Sequence, residues 1–303
     1  MISRKQAMQG NWRDCYCFSV CCSENTTNMK RFSGFAKKDA YQTYICSMAQ
    51  HLKKSLGQHF LKDESVLQHI SEVIGDLKPY STIVEIGPGA GALTKYLVAK
   101  KHPDFYVIEL DDRWAAHLHQ TFPSLRGKII HEDFMAVNLG FMKHPAHVVG
   151  NFPYNISSQI VFRIIEVREK VQRMTGMFQK EVALRIAAKH GSKDYGVLSL
   201  LTQAYFDCEY LFDVPPESFN PPPKVMSGII QITRKEMPPA CDEVLFKQLV
   251  KAAFNQRRKT MRNSLKEFVS GKAISDNQIF NLRPEQLSLE KFYELTNLIA
   301  QAK

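Results

Sequence analysis

Through the middle of the chain, short apolar runs rich in β-branched residues alternate with stretches whose apolar positions recur every three or four residues. This alternation predicts an α/β fold. Thr82 to Ile86 is the first such run; it closes on Gly87-Pro88-Gly89-Ala90-Gly91 and gives way to a helical stretch from Ala92 to Lys101. Phe105 to Leu110 is the second, with Glu109 near its end, and Lys128 to His131 is the third, followed by Glu132 and Asp133. Ala146 to Asn151 is the fourth, and it runs straight into Phe152-Pro153-Tyr154. A last strand is expected over Lys224 to Thr233, behind a stiff loop in which Pro215-Pro216 and Pro221-Pro222-Pro223 bracket Phe219. Arg234 to Asp242, with prolines at 238 and 239, reads as a linker and closes a domain spanning residues 51–235. Helical spacing returns in Glu243 to Phe254, Lys259 to Val269, an acid-and-Leu segment around Glu285 to Leu289, and Leu289 to Ala302. These predict a smaller helical domain over residues 236–303.

This order of elements puts acids after successive strands on one edge of a sheet, where an open α/β sheet binds its ligand. The glycine turn lets a ligand approach the backbone closely, and Glu109 stands at the spacing at which an acid holds ribose hydroxyls. Taken singly, each piece has a plainer explanation: a Gly-x-Gly-x-Gly turn arises by chance, and Glu109 or Asp133 is as readily a solvated strand end. Together they fit a dinucleotide or S-adenosylmethionine, and the glycine turn does not separate the two. Asn151-Phe152-Pro153-Tyr154 does. The exocyclic amine of adenine is a poor nucleophile because its lone pair is delocalised into the ring. Acceptors aimed at its two hydrogens pull the nitrogen toward tetrahedral geometry and free that pair. The Asn151 side-chain oxygen and the Phe152 carbonyl, presented by a Pro-containing turn, are two such acceptors, and Tyr154 can stack on the base. A dehydrogenase has no evident use for these residues there, so the expected cofactor is S-adenosylmethionine.

Length and composition narrow the partners. The chain has 303 residues, 44% of them hydrophobic, enough for one large domain and a smaller one. No apolar run approaches the length of a membrane-spanning helix, so no membrane partner is expected. Lys and Arg outnumber Asp and Glu by 40 to 30, a net charge of +10. Arg257, Arg258, Lys259, Arg262 and Lys266 lie together with no acid among them, and the pairs Arg258/Arg262 and Arg262/Lys266 would align cations on one helix face. Such a face is either plainly solvated or a seat for a phosphate backbone. Five of the seven cysteines, Cys15, Cys17, Cys21, Cys22 and Cys46, fall in residues 1–50. Their spacing does not reproduce paired Cys-x-x-Cys knuckles and no His lies among them, so no metal is expected. Arg13, Asp14 and the polar stretch Ser23 to Asn28 break any continuous apolar core, which argues against a signal peptide. Residues 1–50 are read as a poorly ordered extension, with Met29 or Met48 as alternative starts. Cys208 and Cys241 are too few for a disulfide framework, consistent with a reducing cytoplasm.

From Leu52 to the C-terminus the chain resembles the small-subunit ribosomal RNA adenine N6,N6-dimethyltransferase family of the bacterial KsgA type. Seven blocks in order carry the resemblance: Lys54 to Leu61, Glu85 to Gly91, Val107 to Asp111, Gly150 to Ser157, Gln179 to Val182, Phe219 to Val225 and Ala253 to Thr260. The resemblance implies a Rossmann-like S-adenosylmethionine-dependent methyltransferase sheet. It also implies dimethylation of two adjacent adenosines in a 3′-terminal hairpin loop of small-subunit ribosomal RNA. Carried over by position, it puts His59 and Leu61 near the methionine part of the cofactor, Gly87 beneath it, Glu109 on the ribose, Asp133 at the cofactor adenine and Asn151 between cofactor and target base. His59 stands where Asn is common, and Phe152 where Leu or Ile is common. Catalytic roles are expected for Asn151, Phe152 and Tyr154, with Phe219 either the second face of an aromatic clamp on the flipped base or an aromatic packed under its proline loop. Arg257, Arg258, Lys259 and Arg262 are the expected RNA contacts. The implied setting is a monomer in the cytoplasm acting on an immature 30S-type particle. Two other functions are alternatives: a large-subunit dimethyltransferase of the antibiotic-resistance type, and a non-catalytic assembly or transcription factor on the same scaffold.

Overall fold

The computed structural model describes residues 59–237, 239–269 and 277–302. The expectations for residues 1–50, and the block from Lys54 to Gln58, lie outside the described residues. Seven strands form one sheet in the order β4-β3-β2-β5-β6-β9-β7: β2 Thr82–Ile86, β3 Phe105–Ile108, β4 Ile129–Ile130, β5 Ala146–Asn151, β6 Val171–Gln179, β7 Phe206–Val214 and β9 Ser227–Arg234. The first five are mutually parallel, while β9 runs antiparallel to both β6 and β7. The strand order reverses between β2 and β5, which places the ligand-binding crevice above their C-terminal ends. A separate two-stranded ribbon pairs β1 Phe60–Leu61 with β8 Phe219–Asn220.

The central strands are buried and mostly apolar because both faces of the sheet are covered. Val84, Ile86 and Val148 point into one core cluster and Ile83, Val107 and Val149 into the other, the two-residue alternation of a strand with no polar face. Helices α1 Glu64–Ile74, α2 Thr94–Ala99 and α3 Asp112–Thr121 supply Leu67, Leu97 and Leu118 to the second cluster. Helices α4 Ser157–Glu166, α5 Lys180–Ile186 and α6 Val197–Gln203 supply Ile160, Ala183 and Leu200 to the first.

The C-terminal helices join that first cluster. In α7 Glu243–Asn255, Asp242 caps the helix by accepting from the Leu245 N–H at 2.8 Å, and Leu245, Phe246, Leu249, Val250 and Ala253 are buried. In α9 Leu289–Gln301, Ser288 caps, and Phe292, Leu295 and Ile299 face inward. Between them, the helix expected over Lys259 to Val269 is only the four residues Met261–Ser264, here α8. The Ser264 hydroxyl turns back to the Thr260 and Met261 carbonyls, and continuing the helix would stack Arg258, Arg262 and Lys266 at repulsive spacing. Two further strands, β6 and β7, were not anticipated. β6 carries Arg173, Thr175 and Gly176 in place of an apolar run, and β7 is an edge strand with exposed acids.

Candidate active site

The crevice at the switch point is a cavity of about 220 Å³. Its floor is the glycine turn after β2. Gly87 and Gly89 hold φ of 64° and 54°, a left-handed backbone that a side chain resists. Space also limits Gly89, where a Cβ would stand 2.9 Å from the Phe60 ring. A Cβ on Gly87 would meet Pro153 of the turn after β5 at 3.8 Å, so the glycine turn and the Asn-Phe-Pro-Tyr turn face each other across the crevice.

Four carboxyl residues line the cavity: Glu85, Glu109, Glu132 and Asp133. Glu109 is 6% exposed; its Oε2 accepts from the Gly89 N–H at 2.9 Å and its Oε1 from the Asp111 N–H at 2.8 Å, which ties the β3 end to the glycine turn. Burial raises its pKa above the ordinary glutamate value, against the pull of those N–H groups. Asp133 turns its Oδ1 onto the Met135 N–H at 2.9 Å. Glu85 was not among the expected site residues, although an acid inside an apolar strand is a signal in itself. It is 2% exposed, its Oε2 has no hydrogen-bond partner, and burial pushes its pKa up to about 8. An orphaned buried carboxyl oxygen beside the Cβ-less cradle at Gly87 and Gly89 fits a cationic ligand with hydroxyl groups, which is what S-adenosylmethionine is.

The far wall is the turn after β5. Asn151 lines the cavity and donates from Nδ2 to the His59 carbonyl at 3.2 Å, which leaves Oδ1 as its acceptor. Phe152 buries its ring to 1% exposure, as expected for a residue contributing its main chain, and its N–H bonds to the Met177 carbonyl at 3.2 Å. The Tyr154 hydroxyl hydrogen-bonds to Ser227 Oγ at 2.5 Å, and the His59 and Tyr154 rings lie at 27° with centroids 5.5 Å apart. The His59 Nδ1 bonds to the Pro221 carbonyl at 2.9 Å, so a carbonyl partner makes Nδ1 the protonated nitrogen. His59, Leu61, Gly87, Glu109, Asp133, Asn151, Phe152 and Tyr154 thus come together at one cavity.

Phe219 does not join them. It is 1% exposed, pairs with Leu61 across the ribbon and belongs to the core cluster on the second face of the sheet. The aromatic clamp expected of it is not formed in this structure; the ring packs into that core cluster instead. The basic residues are also not one helix face. Arg258, Lys259, Arg262 and Lys266 are exposed, but only Arg262 is within α8, where it donates to Asn281 Oδ1 at 3.3 Å. Arg257 is half-buried and donates to the Ser192 carbonyl at 3.2 Å. Among the described residues, no acid lies within ion-pair distance of Arg258, Lys259 or Arg262.

No group of His, Cys, Asp and Glu among the described residues could hold a metal ion, and no described helix is long and apolar enough to cross a membrane. A protein from Flavobacterium johnsoniae named Ribosomal RNA small subunit methyltransferase A is 51% identical over 82% of this chain and 95% of its own. A protein of the same name from Bacteroides fragilis is 50% identical over 82% of this chain and 93% of its own. A crystal structure of a Plasmodium falciparum dimethyladenosine transferase superposes with a TM-score of 0.68 at 24% identity, covering 80% of this chain and 98% of that one. The 23S rRNA methyltransferase ErmE superposes with a TM-score of 0.59 at 24% identity, covering 78% and 99%. These two structures support the fold. The family model described as Ribosomal RNA adenine dimethylase matches residues 49–301, and with relatives this similar over nearly their whole length, the chain belongs to that family.

Proposed function

We propose that this protein transfers methyl groups from S-adenosylmethionine to N6 of two adjacent adenosines in the 3′-terminal hairpin loop of small-subunit ribosomal RNA, giving N6,N6-dimethyladenosines during ribosome biogenesis. One observation carries the reading: the Asn151 carboxamide is tethered at the wall of a cavity whose floor is the Gly87 to Gly91 turn. Relatives about half identical to this chain carry a small-subunit name, which sets the substrate class.

When bound, S-adenosylmethionine supplies an activated methyl on a cationic sulfur. His59, Leu61, Gly87, Glu85, Glu109 and Asp133 would hold it. The remaining residues handle the acceptor. Tyr154 offers its ring face to an extruded adenine, a stacking contact worth on the order of 1–3 kcal/mol. Asn151 Oδ1 and the Phe152 carbonyl accept the two amine hydrogens and orient the nitrogen lone pair. Holding the reactants aligned removes about 7–11 kcal/mol of barrier, so positioning outweighs stacking. No base is needed before the bond forms, because the nitrogen turns acidic only once it carries the new methyl and a positive charge; its proton then leaves to the Asn151 or Phe152 oxygen or to water. Arg258, Lys259 and Arg262 lie exposed without acidic partners and offer phosphate contacts, with Arg257 bracing the turn that carries them.

The same proposal includes an immature 30S-type particle as substrate, a monomeric enzyme and a cytoplasmic setting. The test is mass spectrometry of ribosomal RNA from cells with and without the protein, paired with labelled-cofactor assays on purified small-subunit particles and large-subunit RNA. Loss of the paired dimethyladenosines on deletion is expected; methylation of large-subunit RNA alone would reassign the substrate.

A further inference from the structure

We infer that Gly176 is a positioning residue for the reacting turn: Gly150 and Gly176 together form a seat for the Phe152 ring, and the seated ring fixes where Asn151 and the Phe152 carbonyl stand. This rests on the roles proposed above for those two residues.

Glycine inside a strand weakens it and offers nothing to pack. Here two glycines face each other, Gly150 of β5 against Gly176 of β6, in the middle of a seven-stranded sheet. Neither has a left-handed φ, so conformation does not demand glycine at either position; space does. A Cβ on Gly176 would overlap Phe152 Cε2 outright and stand 2.8 Å from Cδ2. A Cβ on Gly150 would stand 2.6 Å from the Ile86 carbonyl oxygen and 2.8 Å from Phe152 Cε1. The ring therefore lies across both missing side chains, and Phe178, two residues beyond Gly176 on the same face of β6, closes on it with centroids 4.9 Å apart. A smaller residue at 152 would leave that space unfilled, and any side chain at 176 would expel the ring. The identities of 152 and 176 are coupled by volume.

The coupling bears on chemistry because β5 ends at Asn151. Beyond it, residue 152 keeps one backbone bond to Met177, and the ring supplies its main lateral restraint. Displacing the ring moves the Phe152 carbonyl directly and Asn151 through the adjoining peptide, at the wall where the acceptor amine must sit. Cofactor contacts on the Gly87 to Gly91 floor are untouched.

The experiment compares Gly176→Ala, Phe152→Leu and the double variant, in full-length protein with small-subunit particles as substrate. Calorimetric titration of S-adenosylhomocysteine reports the folded, cofactor-competent fraction. Gly176→Ala should lower kcat by about a hundredfold, the scale of a misplacement on the order of an ångström, with KM for RNA and cofactor stoichiometry unchanged. Phe152→Leu should lower kcat less, and the double variant, with its volume restored, should exceed both single variants. A kcat near wild type in Gly176→Ala overturns the inference. So does a double variant no better than either single, or a loss of kcat matched by an equal loss of cofactor stoichiometry. If Gly176→Ala does not fold, Phe152→Leu against the double variant decides alone. Asn151→Ala run beside them separates the levels: its activity surviving sinks the functional reading, whereas its loss with Gly176→Ala unaffected sinks only this inference.

Discussion

The Asn151 side-chain amide donates to the His59 main-chain carbonyl, 92 positions earlier in the chain, across 3.2 Å. That bond uses one of the amide's two hydrogens and orients its oxygen, so the segment leading into β1 sets the acceptor geometry of the turn after β5. Asn151→Ala should abolish methyl transfer while S-adenosylhomocysteine still binds by calorimetry. Normal turnover in this variant would remove the central assignment.

Tyr154 tests stacking against hydroxyl chemistry. Its hydroxyl is bonded to Ser227 Oγ, and Ser227 is fully buried. Tyr154→Phe should therefore keep most activity while losing about 1 kcal/mol of stability through the orphaned serine. Tyr154→Ala should lose activity. Equal activity losses in the two variants, measured by single-turnover methylation, would give the hydroxyl the leading role.

Neutralising Arg258 and Arg262 should flatten the salt dependence of RNA binding. Each phosphate contact accounts for a log–log slope of roughly 0.7–0.9, so the pair should reduce it by about 1.4–1.8. Filter binding over a series of salt concentrations measures it. An unchanged slope means these cations face only water.

Glu85 sets a pH dependence. Burial holds its carboxyl protonated up to about pH 8, whereas an ordinary glutamate titrates near 4.5. Between these values the folded chain keeps a proton that the unfolded chain has released. The stability this contributes is complete below 4.5 and is lost as pH rises through about 8. Glu85→Gln should flatten the slope of stability against pH across that window in cofactor-free protein, measured by urea denaturation. A slope identical to wild type would show that other groups carry it.

Phe219 should behave as a core residue. Phe219→Ala is expected to cost about 3–5 kcal/mol, as for a large side chain removed from a packed interior. Phe219→Leu should restore most of the stability and leave turnover near wild type. A large fall in kcat for Phe219→Leu without loss of stability would return the ring to the base-stacking role.

What could be read along the chain follows from how local each cause is. β2, β3 and β5 were legible because both their faces are buried, which writes a short, mostly apolar run into the sequence, and Gly87 to Gly91 because a left-handed turn requires glycine. Asn151, Glu109 and Asp133 could be placed at the crevice because each stands at or just beyond the C-terminal end of a strand. α7 and α9 announced themselves by an amphipathic repeat.

Tertiary structure decided the rest, where the partner lies far off in sequence. β6 was not legible because Thr175 and Gly176 find their partners only in the fold: Thr175 hydrogen-bonds to His147 at 3.0 Å, and the Phe152 ring fills the space over Gly176. The extent of α8 depended on like charges and on the Ser264 hydroxyl competing for its carbonyls. Phe219 could have faced a base or the core, and nothing nearby in sequence distinguishes the two; its pairing through β8 with β1 settled it. A strand writes its own burial into its composition, whereas a single ring or carboxyl takes its role from whatever the fold brings beside it.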